Sequence, residues 1–207
     1  MSATAIPAGS DRSDRSDLRT VMLGGTKLGL VTAVGVVAFL AVSRQVAGAV
    51  PRSILEALLV LAVGSAVGFL PAQWAAARHA EGIAGAAAMG LWSTVIFMAF
   101  DIVVLRPLKA YPWTWDAIGG GSTWWYLPIW WMLGTFVAWM GGILTASRAT
   151  RGEATLPRVA LPVIVGAVAL VVVARVAGLA VPLPVSTGAG FTITLAVLAA
   201  VALARKA

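Results

Sequence analysis

Six apolar runs, each about as long as a bilayer's hydrocarbon core is thick, alternate with short polar joints along this chain. They cover residues 28–49, 54–75, 83–105, 124–146, 159–180 and 187–204. About 20 apolar residues cross a membrane as a helix, so each run predicts one transmembrane helix. A barrel strand would be half as long and would alternate apolar with polar residues, and neither pattern holds. The expected fold class is an all-α membrane protein, a bundle of about six transmembrane helices. The joints carry helix breakers. Pro51 and Pro107 follow runs one and three, and Pro182 and Pro184 stand between runs five and six. At such positions a missing N–H costs the helix nothing. Pro71, Pro128 and Pro162 fall inside or near the ends of spans, where they are expected to kink the helix and leave neighbours to satisfy the freed carbonyls.

Composition agrees with the pattern. Of 207 residues, 60% are hydrophobic and 11% charged, with a mean hydropathy of +0.93. Soluble domains carry roughly 25% charged residues. The domain organisation expected is a disordered polar tail over residues 1–24, then one membrane domain over 25–207. The tail's Ser-Asp-Arg repeat (Ser10 to Asp17) alternates charge sign, the mark of a solvated segment. No small-residue cleavage site follows a short apolar core, so the first run is expected to stay as a span. A net charge of +7 raises nucleic acid as a partner. The basic residues are scattered between apolar runs, which topology explains better, and no nucleic-acid partner is expected.

Counting Lys and Arg by side gives the orientation. With the N-terminus inside, the inner joints and ends hold ten basic residues and the outer side five: Arg44, Arg52, Arg106, Lys109 and Arg175. That bias predicts both termini in the cytoplasm. It also puts the tryptophan-rich stretch from Tyr111 to Trp131 on the outer face, as an interfacial or re-entrant segment. The stretch holds six of the nine tryptophans in 21 residues. Shifting the chain by 131 residues lays Val34–Pro51 over Val165–Pro182 with nine of 18 positions identical, Arg44 over Arg175 among them. The overlay suggests a parallel repeat of spans one and five.

Charges within spans are the first candidates for chemistry, because burying one in hydrocarbon costs at least about 2.5 kcal/mol. Arg44, Glu56, Asp101 and Arg175 all sit near the outer ends of their spans. At one depth they are expected to form an ion-pair cluster able to take an anion, a lipid headgroup or a proton. The bland alternative is a satisfied salt bridge, or arginines that snorkel to the headgroups. Tryptophans come second. Trp113, Trp115 and Asp116 precede the Gly119–Gly121 triplet; Trp124, Trp131 and Trp139 then recur at helical spacing and share a face. A buried aromatic face suits a quinone, a carotenoid, an acyl chain or another subunit; the alternative is a belt plus ordinary packing. Gly64 and Gly68, with Gly134, Gly141, Gly142, Gly188 and Gly190, mark close helix contacts.

Several chemistries are excluded by what the sequence lacks. Without cysteine there are no disulfides, thiolate metal sites or cysteine nucleophiles. A lone histidine, His79, rules out a bis-histidine haem site or a zinc site with two imidazoles. No metal and no cofactor is expected. Three function classes stay open. The first is a non-catalytic subunit of a larger membrane complex, with protein, lipid, quinone or carotenoid partners beside the lipid bilayer. The second is a small transporter or channel built on the Asp/Arg cluster. The third is an enzyme acting on a lipid or isoprenoid. Alanine, glycine and valine with arginine over lysine point to a bacterial inner membrane.

Overall fold

The structure, a computed structural model, describes residues 14–111 and 126–205, with the side chains of 126–128 left aside. Trp113, Trp115, Asp116 and Trp124 lie outside the described residues, as do positions 1–13 of the tail. Six helices follow in order: α1 (Leu18–Gln45), α2 (Ala49–Trp74), α3 (Ala80–Phe100), α4 (Tyr126–Ala149), α5 (Leu156–Val176) and α6 (Leu183–Ala204). All six are long and apolar enough to cross a membrane, α3 with the π-helical turn Asp101–Leu105 that extends it. The described residues contain no strand. This is the architecture of a multi-pass membrane protein, and the apolar outer surfaces of its helices suit a lipid bilayer.

Helix ends depart from the apolar runs in places that chemistry explains. α1 begins at Leu18, inside the stretch expected to be tail. The reason is capping: the Asp17 carboxylate accepts from the backbone N–H of Thr20 at 3.0 Å and from its hydroxyl at 2.7 Å. Pro51 does not end α1. It lies in the first turn of α2, which starts after Gly48, a left-handed residue at φ +88° that reverses the chain.

Asp14 is also structural. Its carboxylate, 2% exposed, accepts from the backbone N–H of His79 and Gly82 at 2.8 Å and of Arg78 at 3.1 Å. It thus caps the N-terminus of α3 from a different part of the chain, where His79 offers no side-chain cap of its own. The Arg15 N–H donates to the Ala75 carbonyl at 2.7 Å, and between these contacts Ala76 turns the chain at φ +49°. Burial by itself would raise the Asp14 pKa; the bonds from Gly82, His79 and Arg78, with the adjacent imidazole, outweigh it and hold the carboxyl below its ordinary 3.8. The stabilisation is therefore complete above pH 3.8 and is lost as pH falls through the lowered folded-state value. Asp14→Ala is expected to remove about 1 kcal/mol. Amide exchange should show the loss at residues 78–82, with the distal ends of α1 and α3 unchanged.

Packing radiates from α2, which touches every other helix. Around it α1 lies against α3, α3 against α4, α4 against α6 and α6 against α5. At three crossings a side chain would meet backbone. A Cβ on Gly141 of α4 would sit 1.7 Å from the Gly68 carbonyl oxygen of α2, and one on Gly29 of α1 would sit 2.7 Å from the Ser93 carbonyl oxygen of α3. The third is α3–α4, where a Cβ on Gly90 would sit 2.7 Å from the Gly134 carbonyl oxygen. Small residues let helix backbones approach where lipid gives no hydrophobic drive for association. Around the α2–α4 crossing, Phe69, Val137, Leu144, Val163, Phe191 and Leu195 form the core. The Phe69 and Phe191 rings meet edge to face at 6.5 Å.

Candidate functional site

The Gly68–Gly141 contact draws α2 and α4 together in the terminal half of the bundle. In the opposite half α1, α2, α3, α4 and α6 surround a cavity of about 460 Å³. That is within the range of small-molecule sites, about 300–1,000 Å³. α1 contributes Val36, Phe39 and Leu40; α2 contributes Leu59, Val60, Val63 and Val67. The remaining wall comes from Phe97 and Met98 of α3, Trp130, Leu133 and Val137 of α4, and Phe191 of α6. Glycines at 35, 64, 134 and 188 also border the space. Among the described residues one charged side chain lines it, Asp101, together with Tyr111 at the end of the bundle away from the termini.

Asp101 is 3% exposed and opens the π-helical turn. In a regular α-helix the residue five places on is rotated about 140° away at 100° per residue. The π turn changes that: the Arg106 N–H bonds the Asp101 carbonyl at 3.0 Å, and the Arg106 side chain returns to the same face. Its Nε donates to Asp101 Oδ2 at 3.1 Å, while the Tyr111 hydroxyl donates to Oδ1. Burial first, then the bond to Asp101, raises the Tyr111 pKa and keeps the phenol protonated. Between Arg106 and Tyr111 the chain turns through Lys109, a non-glycine residue at φ +47°. Arg44 of α1 secures that turn, its guanidinium donating to the carbonyls of Ala110 at 2.5 Å and Lys109 at 3.3 Å. Both ends of α3 are thus tied to the ends of α1.

The expected ion-pair cluster does not form as one unit. Asp101 pairs with Arg106, not with Arg44 or Arg175. Among the described residues, Arg44 bonds backbone carbonyls of the turn that follows Asp101, while Asp101 bonds Arg106 and Tyr111. Glu56 is buried on α2 and accepts from the Ser43 hydroxyl of α1 at 2.6 Å, a link between two helices. Arg175 lies apart on α5, beside Ala49, Val50 and Ser53 in a shallow depression. It makes no ion pair among the described residues. The rotation of each side chain about its helix was not legible.

The buried aromatic face is corrected too. Trp131 and Trp139 are 39% and 47% exposed on the outer surface of α4. Facing lipid costs a tryptophan little, whereas the inner face of α4 is filled by glycine and small residues at the α2 and α3 crossings. Trp130, not singled out as a site residue, is the tryptophan that borders the cavity. Tyr111 and Arg106 were also missed as partners of Asp101; their spacing carries a signal only if a π turn is foreseen. The described residues hold no group of His, Asp and Glu fit for a metal ion.

No family model matches the chain, and neither a curated protein nor a solved structure is significantly similar to it.

Proposed function

We propose that the protein is a non-catalytic multi-pass membrane protein that holds a lipophilic molecule within its helix bundle, as a subunit of a larger membrane assembly. The observation that carries this reading is the apolar cavity ringed by five helices, with a neutralised carboxylate at one end. A preformed apolar space of this size in a bilayer-facing bundle suits an acyl chain, an isoprenoid, a quinone or a carotenoid. The exposed face of α4, with Trp130, Trp131, Met132 and Trp139, supports a neighbouring subunit as the second partner. The excess of basic residues at the terminal end supports cytoplasmic termini, and composition supports a bacterial inner membrane. A transporter is the second reading. It is favoured by the placement of Asp101, an ionisable residue at the distal end of the cavity.

The test is purification from native membranes in mild detergent, with mass spectrometry of every protein and small molecule retained. A co-purified lipophile is expected, and Val60→Trp, which fills the cavity from α2, should reduce its occupancy at least about tenfold while the protein remains folded. Stoichiometric protein partners support the subunit reading. A lipophile without partners moves the weight to transport, and no lipophile in either protein overturns the cavity reading.

A further inference from the structure

Arg175 has a counterpart whose partner is visible. The overlay of Val34–Pro51 on Val165–Pro182, at a shift of 131 residues, continues in three dimensions into α2 and α6, where the sequences no longer match. A Cβ on Gly35 of α1 would collide with the Val63 Cγ2 methyl of α2. One on Gly166 of α5 would collide with the Thr194 Cγ2 methyl of α6, and both residues of this second pair stand at the same shift from the first. α1 ends at Gln45 and α5 at Val176, again at that interval. The first N–H beyond each helix closes on the carbonyl four places back, Val46 on Val42 at 3.1 Å and Ala177 on Val173 at 2.9 Å. Even the buried polar residue near the start of the second helix recurs, as Glu56 in α2 and Thr187 in α6. The α5–α6 hairpin is built as the α1–α2 hairpin is.

What differs is the cover. On α1 a stripe faces α3, from Gly29, which meets Ser93 and Ile96, to Arg44, which holds the carbonyls of Lys109 and Ala110 beyond the end of α3. Between them Ala33 and Leu40 are buried. The inner half of α5 is covered as well, with Val159, Ala160 and Val163 in the core. Its outer half is not. Ile164 and Val171, the counterparts of Ala33 and Leu40, are half-buried, and Val168 and Val172 beside them are 49% and 54% exposed. Arg175 makes no hydrogen bond or ion pair among the described residues. A guanidinium within a span is costly without an acceptor. The shallow depression beside it, walled by Ala49, Val50 and Ser53, leaves room for the end of a helix.

We propose that the outer half of α5 seats a transmembrane helix of a partner subunit as α1 seats α3, with Arg175 donating to the carbonyls at that helix's outer end. The inference rests on the subunit reading above and gives it a surface. The occupant runs in the same direction as α5. Arg44 stands at the C-terminal end of α3, where orphan carbonyls and the negative end of the helix dipole both draw a cation, and Arg175 asks for the same. The occupant belongs to a different chain. All copies of this protein share one orientation in the membrane, so a two-fold contact between α5 helices would set two Arg175 guanidinium groups against each other at one depth.

The test uses the full-length protein in its native membranes, with benzoylphenylalanine at Val168 or at Val172 and irradiation before purification. Both positions are expected to capture one polypeptide, the same one that is retained stoichiometrically without crosslinking. The captured residues should lie in a single apolar span, those reached from Val172 about four places C-terminal to those reached from Val168. Arg175→Ala should lower the partner recovered per copy at least about tenfold, the worth of one charged hydrogen bond, and leave the melting temperature of the partner-free subunit unchanged. Capture of lipid alone or of a second copy, captured residues in the reverse order, or partner recovery indifferent to Arg175→Ala overturns the inference. If stoichiometric partners are retained in those cases, the subunit reading stands and their seat lies on another face. Absence of any stoichiometric partner from the unmodified protein overturns the subunit reading itself.

Discussion

Gly141→Ala is expected to cost at least about 3 kcal/mol and to abolish recovery of a monodisperse protein. Ordinary overpacking costs about 1–3 kcal/mol because side chains can move aside. Here the obstacle is backbone: the added Cβ would stand 1.7 Å from the Gly68 carbonyl oxygen. Relief requires α2 and α4 to separate, which also shifts the packing of α6 on both. The neighbouring position supplies the control. A Cβ on Gly142 would meet Ala86 at 3.4 Å, an ordinary contact, so Gly142→Ala should be neutral or gain up to about 1 kcal/mol of helix propensity. Thermal unfolding in detergent, followed by size-exclusion chromatography, checks the pair. Equal melting temperatures would mean that the two backbones do not touch at Gly68.

Asp101→Ala is expected to be the most damaging change near the cavity, costing about 3 kcal/mol. Removing one member of a buried ion pair leaves the other charge uncompensated, typically at about 3–5 kcal/mol. The lower figure applies because the Arg106 side chain is 26% exposed and can regain part of its hydration. Tyr111→Phe removes one hydrogen bond to a charged acceptor and should cost about 1.5–3 kcal/mol. Both should loosen the turn that joins Arg106 to Tyr111, so amide exchange there should rise while residues 78–82, held by Asp14, stay protected. If exchange rose instead at residues 78–82, the two ends of α3 would not be secured independently.

Much of this protein follows from local pattern. Number, length and approximate limits of the six helices were legible because a span must satisfy its backbone internally over about 20 residues, and apolar runs record that requirement directly. The glycine contacts of α4 were legible at Gly134 and Gly141 for a related reason, since small residues are the means by which helices in lipid approach. The matching pair on α1, Gly25 and Gly29, is divided by the start of the apolar run at residue 28, so no Gly-x-x-x-Gly stands within that run. What extends it is a capping aspartate in a polar repeat, a feature that hydropathy reads as tail.

The candidate site was legible only in its parts. Asp101 stood out because a carboxylate in an apolar run is expensive. Its partners did not, because Arg106 reaches it through a π turn and Tyr111 through a turn that Arg44 secures from another helix. The cavity left no mark along the chain: it lies among five helices beyond the glycine contact of α2 and α4, and every residue that lines it from α2 would pass for ordinary core or lipid-facing surface. Sequence by itself determined the membrane, the helix count and the existence of a costly buried charge, each a property of one stretch against water or lipid. Tertiary structure alone decided which charges meet, which tryptophan borders the cavity and that a space remains between the helices. Those depend on helix rotation and crossing, which long-range backbone contacts set and no single run records.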